Sequence, residues 1–422
     1  MRVLQFRHLC DTGGVSTVMQ LHGRGLDARG IANEYWFCER SSRWPEFEAT
    51  GRATLGSLGA LATRLARGDV DIVHLTSSDP AAPLVARMAA PARVVVTGHG
   101  ALADWWQRAT CFGYTAISEG TARLNQPYTD LHIDVVRNAL DADRFAPPAG
   151  PASGAPIVAF VGRTTAPEKD FPRFTRIAAP LVAAGWRAWV ADPHEGNWDK
   201  LLAAGATRLE VERWTRVPSA EMPAFYREVA ASGGAVLMTS RSEGFGMVAV
   251  EAAASGAFVA APDQVGFRES VLPGVTGLLF PPDAEDAEVA GRIRAALATP
   301  HDGAAAAQAV REAFAPARMT EGYLAVYRDG SRPATADERA EAARDRAREL
   351  AVLEPHLRQQ RTWRARVARR EAVELARHGH RRLALGALAL TAREDAREFL
   401  KGVAVKQVAQ AAAFLLRPAA RR

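Results

Sequence analysis

Cysteine and lysine are both scarce in this 422-residue chain, and each shortage excludes something. Three cysteines, Cys10, Cys38 and Cys111, are odd in number and too widely spaced for a Cys-x-x-Cys pair, so neither a disulfide scaffold nor a thiolate metal site is written here. Reduced, buried thiols are expected. No uncharged apolar run reaches the ~18 residues of a bilayer-spanning helix. The amino terminus meets Arg7 and Asp11 before an apolar stretch grows long enough for a signal peptide, which predicts a cytoplasmic protein. Helix-turn-helix, zinc-finger and aromatic RNA-binding signatures are missing, so nucleic acid is not an expected partner. The histidines are scattered, and His378 and His380 sit among arginines, a poor setting for a cation; no metal is expected.

What is present points to a multidomain globular chain. Apolar residues make up 48%, enough for sizeable cores at about 150 residues per domain. Charge is unevenly placed: residues 1–330 carry 32 basic against 36 acidic side chains, whereas 331–422 carry 21 against 11. The tail alone is basic. Only four of the 53 basic residues are lysines, and Lys169 and Lys200 are the two within the first 330 positions.

Apolar runs alternate with helical patterns in two blocks. Val3–Phe6, Val70–Leu75, Arg93–Thr97 and Tyr114–Ser118 read as buried strands, each leading into a glycine turn or a helix. Residues 146–156 are punctuated by proline and glycine and cannot hold a regular element, so the domain boundary is placed there. The pattern then restarts with strands at 157–161, 186–191, 235–238 and 258–261 separated by helices. This predicts two doubly wound, Rossmann-type α/β domains facing a cleft, 1–150 and 151–315, followed by a helix at 316–330 and an α-helical extension at 331–422. Thr335-x-x-Glu338 and Thr391-x-x-Glu394 both match a capping box, and Ala396, Phe399, Leu400, Val403, Val408, Ala411, Ala412 and Leu415 form one apolar stripe.

The densest chemical signal is Ser242-Glu243-Gly-Phe-Gly-Met-Val-Ala-Val-Glu251, entered from a strand and left by a helix. Gly244 and Gly246 let a ligand approach the backbone, and the free amides of the next helical turn suit an anion such as a diphosphate. Glu243 and Glu251 are acceptor-only carboxylates suited to vicinal hydroxyls, which sugars present. A helix-start acid and a solvated face would account for the bare glutamate pair. Upstream, Phe160-Val-Gly-Arg163 and Pro167-Glu-Lys169 place two cations in one loop, where departing diphosphate charge could be stabilised.

These residues resemble the E-x7-E signature of retaining glycosyltransferases of family 4, which have the GT-B fold. The resemblance implies a hexose transferred from a nucleotide diphosphate sugar, with a glycan, a lipid-linked or a small-molecule acceptor. It assigns Glu243 and Gly244-Phe245-Gly246 to the donor sugar and phosphate, Glu251 to the ribose, and Arg163 and Lys169 to the leaving diphosphate. These two cations stand one residue further apart than is usual in the family. Asp11-Thr-Gly-Gly-Val-Ser16 resembles the amino-domain glycine loop, which brings Gly13 and Gly14 to the donor phosphate or acceptor. Val94-Val-Val-Thr-Gly-His-Gly100 resembles a strand ending in a histidine beside the reacting carbon, a role carried to His99. Near Asn138 the family usually has Asn-Gly, whereas this chain has Ala139. Glu269 fits either a donor-site carboxylate or a helix-start acid, and Arg213 and Trp214 either border the base or pack in the interior.

By the same resemblance, 1–150 binds the acceptor, 151–315 binds the donor, and 316–330 is the crossover helix. No cofactor or metal is implied; the nucleotide sugar is a co-substrate. Asp69-Val-Asp71 and Asp141-Ala-Asp143 match a metal–diphosphate pattern of a different fold, outside its context. The extension has two readings, an anionic membrane surface at the inner face of the membrane or a helical bundle or oligomer contact. A nucleotide-sugar epimerase, a glycoside phosphorylase and a noncatalytic sugar-nucleotide binder are the rival functions.

Overall fold

The computed structural model describes residues 1–10, 14–100, 111–150, 152–192, 209–395, 407, 409–411 and 413, with backbone alone for 345–360. Chain contacts divide it into two units, Met1–Arg137 with Met319–Arg422, and Asn138–Arg318.

The first unit is built on seven strands, β1 (Arg2–Leu9), β2 (Ala32–Glu39), β3 (Ala53–Leu55), β4 (Ile72–Thr76), β5 (Arg93–Gly98), β6 (Gly113–Ala116) and β7 (Ile133–Val135). They pair in parallel in the order β3-β2-β1-β4-β5-β6-β7. Val3, Leu4 and Phe6 are buried in β1 and Val94, Val95 and Val96 in β5, the near-continuous apolar runs of strands covered on both faces. The covering helices include α1 (Gly14–Asp27), α2 (Leu58–Leu65), α3 (Ala82–Met88) and α4 (Glu119–Asn125). Ser57 and Ser118 start α2 and α4 by accepting from the amides of Ala60 and Thr121.

The second unit repeats the plan with β8 (Ile157–Val161), β9 (Arg187–Asp192), β10 (Glu212–Thr215), β11 (Ala235–Leu237), β12 (Phe258–Pro262) and β13 (Gly277–Phe280). All are parallel in the order β10-β9-β8-β11-β12-β13. Its helices include α5 (Phe171–Ala183), α6 (Met222–Ala231), α7 (Met247–Ala254), α8 (Asp286–Ala296) and α9 (Gly303–Ala313). Phe160, Phe171, Phe174, Ile177, Leu237 and Ile293 form its core. In each sheet the strand order reverses once, between β1 and β4 and between β8 and β11. Ligands of open α/β sheets sit beyond the carboxyl ends of such a pair.

The chain continues through α10 (Pro316–Asp329), α11 (Ala336–Arg377) and α12 (Arg381–Glu394). Val367, Ala368, Ala372, Val373, Leu375 and Ala376 of α11, with Ala384, Ala387 and Leu390 of α12, join Leu58, Leu61, Leu65, Leu84 and Val85 in one core. The basic extension is therefore part of the first unit's interior and not a detached arm. The expected apolar stripe lies outside the described residues except for Ala411, which is buried in that same core. The Thr335 capping box forms as expected: its hydroxyl accepts from the Glu338 amide and Glu338 reaches back. The second box does not. Thr391 lies inside α12 and donates its hydroxyl to the Ala387 carbonyl at 3.0 Å, while Glu394 is buried against Arg364. A threonine with a glutamate three residues on matches the pattern wherever it falls in a helix, and here tertiary pairing claims the glutamate.

Cys10, Cys38 and Cys111 form no disulfide among the described residues. Burial pushes the Cys111 thiol up to about 11 and that of Cys38 well above the ordinary thiol range. Among the described residues no helix is long and apolar enough to cross a membrane.

Candidate functional site

The residues singled out in the sequence fall into two groups, one in each unit. In the second unit they gather at the carboxyl ends of β8 and β11, where the strand order reverses. Beyond β8, Gly162 (φ 150°) leads to Arg163 and Thr164, and the Thr164 amide and hydroxyl both donate to Asp192 at the end of β9. A single 3-10 turn, Pro167–Lys169, ends at Asp170, whose left-handed backbone (φ 46°) turns the chain into α5 and whose carboxylate accepts from the Arg173 amide. That turn presents Lys169.

Beyond β11, Thr239 donates its hydroxyl to the carbonyls of Lys169 and Asp170, and Arg241 donates Nε to the Asp170 carboxylate at 2.8 Å. These bonds bring the two loops together. Lys169 Nζ then lies 2.5 Å from Glu243 Oε2, with both side chains about one-fifth exposed, and Ser240 Oγ lies 3.4 Å from the same oxygen. A pair so placed is neither solvated nor sealed, so an incoming anion can compete for the ammonium.

The glycines after Glu243 act through backbone geometry. Gly246 has φ 89° and ψ 52°, a left-handed start to α7 with no side-chain cap, so the first amides of that helix have no side-chain oxygen from their capping residue. Phe245 is buried against Phe314, with ring centroids 5.4 Å apart, so only its backbone can meet a ligand. Gly266 supports the turn from behind: a Cβ there would stand 2.6 Å from the Glu243 carbonyl oxygen and 3.0 Å from the Phe245 amide nitrogen. Two turns along α7, Glu251 is half-buried and accepts from the hydroxyl of fully buried Tyr226 at 2.9 Å. Burial, and then the Glu251 charge, push that phenol well above its ordinary pKa.

Arg163 stands apart from the Lys169–Glu243 contact. It is exposed and donates Nη2 to Glu168 at 2.6 Å. Trp214 packs on Trp189 and Phe225 at 5.0 and 5.4 Å between centroids, which favours its interior reading, and Arg213 is exposed. Glu269 lies on the short helix Phe267–Ser270, directly after Gly266.

In the first unit, Gly14 is the exposed first residue of α1; Gly13 lies outside the described residues. Arg7 donates to the Ser16 hydroxyl at 3.1 Å. His99 follows β5, half-buried, and shares a small cavity with His22, His74 and Tyr323. Burial, then the Arg7 and His74 charges, lower its pKa to about 3, so its imidazole is neutral at physiological pH. Asp69 is engaged by Arg2 and Arg64, and the Asp71 carboxylate accepts from the Arg2 amide. Asp141 caps, and Asp143 lies within, the 3-10 turn Ala142–Arg144 of the second unit. Sequence reading passed over Asp170, Ser240, Arg241 and Tyr226. Asp170 and Arg241 adjoin named motif residues, whereas nothing local marks Tyr226.

Residues 155–299 match the family model described as glycosyl transferases group 1. Within the second unit, the chain is thus similar to the group 1 glycosyl transferases. This agrees with the family 4 resemblance of the Glu243–Glu251 motif. It is 36% identical over 163 residues to the D-inositol 3-phosphate glycosyltransferase of Nocardia farcinica, a stretch covering 35% of this chain and 36% of that protein. With the enzyme of the same name from Mycobacterium avium it shares 35% over 226 residues, 50% of this chain and 52% of the relative. The chain thus spans about a third to a half of the length of these relatives.

Among solved structures, a glycosyltransferase from Rickettsia africae superposes with a TM-score of 0.64 at 18% identity, covering 78% of this chain and 97% of that one. Anabaena HepE, solved in complex with UDP-glucose, gives 0.63 at 17%, covering 77% and 99%. At such identities the likeness speaks for the fold alone: this chain has two parallel-sheet α/β units of the GT-B kind and a helical carboxyl-terminal region.

Proposed function

We propose that this chain is a retaining glycosyltransferase that moves a hexose-type sugar from a nucleotide diphosphate sugar to an acceptor carrying hydroxyls. The observation that carries the reading is the meeting of Lys169 and Glu243 at 2.5 Å at a strand-order reversal, beside a glycine turn that opens a helix. Diphosphate departure puts negative charge beside that loop, and a fixed ammonium with preorganised amides stabilises it most in the transition state. When the diphosphate takes over Lys169, Glu243 is released to accept from a sugar hydroxyl. Glu251, held by Tyr226, suits the two ribose hydroxyls. Arg163 supplies a second cation once it leaves Glu168. With two cations available, the reading needs no metal. His99 keeps the role its motif suggests, a neutral contact to the transferred sugar. The relatives named for D-inositol 3-phosphate favour a small polyol phosphate as the acceptor to try first.

The test is to incubate the full chain with UDP-, GDP- and ADP-sugars, with and without inositol phosphate, and follow nucleotide release and product. Acceptor-dependent release that survives EDTA and falls about 100-fold or more in Lys169→Ala supports the reading. Isomerised donor without an acceptor would instead support the epimerase. Nucleotide binding with no turnover on any acceptor would support the noncatalytic binder.

A further inference from the structure

Polar side chains that the proposed reaction leaves unassigned converge in the first unit. Gln5, His22, His74, Thr76 and Tyr323 line the cavity that His99 borders, and its volume of about 20 Å3 admits a water-sized group. Two nitrogen atoms of this wall are buried without a hydrogen-bond partner, Gln5 Nε2 and His22 Nδ1, on side chains only 2% and 1% exposed. Buried polar atoms in folded proteins are nearly always satisfied, so an orphaned pair on one cavity wall points to a missing partner.

The chemistry of that partner follows from the bonds behind the wall. His22 Nε2 lies 2.8 Å from Tyr327 Oη, which lies 2.6 Å from His74 Nδ1; His74 Nε2 lies 2.6 Å from Thr97 Oγ1, which lies 2.6 Å from Thr115 Oγ1. Burial holds both imidazoles neutral, so each has one N–H and one lone pair. His22 Nδ1 therefore offers a lone pair when Nε2 donates to Tyr327 and an N–H when Nε2 accepts from it. Gln5 Nε2 can only donate. The group that accepts from Gln5 and meets His22 in either state is a hydroxyl, and Phe6, Val18 and Met19 supply apolar wall for the carbon that bears it.

We infer that this cavity seats one hydroxyl of the acceptor between Gln5 Nε2 and His22 Nδ1, beside His99; the word acceptor rests on the transferase reading above, whereas the seat rests on the geometry alone. A resident water would offer the same chemistry, and the experiment separates the two. Crystals of the full chain are compared with and without a glycerol soak. The expected result is a glycerol hydroxyl within about 3.2 Å of both nitrogens, in place of any water found there beforehand. A water that glycerol does not displace, or an empty cavity, overturns the proposal.

A second measurement is kinetic: Gln5→Met, which keeps the side-chain length and removes the donor, should raise the acceptor KM about fivefold or more and leave the donor KM in place. An unmoved acceptor KM overturns the proposal. Thermal shift with UDP and GDP on the same preparation keeps the two readings apart. A filled seat without any nucleotide response would sink the transferase reading, and a nucleotide response over an empty cavity would sink the seat.

Discussion

Arg364 and Glu394 offer the sharpest test of how the helical extension is held. Both side chains are 1% exposed, and Arg364 donates Nε and Nη2 to Glu394 Oε2 at 3.1 and 2.7 Å, tying α11 to α12. At the same end, Thr362 donates to Asp395 at 2.9 Å. Truncating one member leaves a charge buried without its partner, which costs ~3–5 kcal/mol. The extension shares its core with the first unit, so that unit as a whole should feel the loss. At roughly 2–4 °C per kcal/mol for a unit of this size, Arg364→Met or Glu394→Leu should lower its melting temperature by roughly 6–20 °C. Replacing both by apolar residues removes the desolvation penalty along with the attraction, and the double variant should return close to the parent. Differential scanning calorimetry reads all three, with the second unit's transition as an internal reference. A single-variant drop under about 2 °C, or a double variant that simply adds the two losses, would refute the reasoning.

Three further outcomes follow from the geometry. Gly266→Ala places a Cβ 2.6 Å from the Glu243 carbonyl at φ 87°, so the turn must shift; nucleotide affinity should fall while the melting temperature drops by an amount equivalent to ~1–3 kcal/mol, checked by calorimetric titration and thermal unfolding. Tyr226→Phe deletes the hydroxyl that orients Glu251 and should weaken nucleotide binding about fivefold with little change in fold, with unchanged affinity counting against the ribose role. His74 and His99 are each lowered to about 3 by burial, against about 6.5 unfolded, so between these values the unfolded chain binds more protons. First-unit stability should therefore fall as pH drops from 6.5 toward 3, by up to ~1.4 kcal/mol per pH unit per histidine, and His74→Phe should flatten the slope in urea titrations at stepped pH.

Much of this architecture could be read from local pattern because parallel strands buried on both faces leave apolar runs. Val94–Val96 and Val158–Phe160 announced β5 and β8 in that way. β2 was harder to see: Ala32–Glu39 mixes Asn33 and Glu34 with buried Tyr35, Trp36 and Phe37, and its polar start hides the strand. β10 is an exposed edge strand with little apolar signal. Glu243, Lys169 and the glycine turn were legible as a motif, since phosphate-binding loops need those residue types at those spacings. Their shared geometry was not. The Thr239 and Arg241 bonds that draw the two loops together join residues about 70 positions apart, and no local rule encodes such a pairing. The extension's place in the first unit's core was hidden for a similar reason: its small buried residues, Ala368, Ala372 and Ala384, read equally well as helix filler.

The account's central claim is that the second unit grips a nucleoside diphosphate through Lys169 and the Glu243 turn. Calorimetric titration of the full chain with UDP, GDP and ADP, repeated on Lys169→Ala, tests it most directly. The account predicts saturable binding of at least one of these diphosphates, weakened about tenfold or more by the substitution, as expected for losing a charged hydrogen bond of ~1.5–3 kcal/mol. Absence of binding by all three, or an affinity that ignores the loss of Lys169, would contradict it.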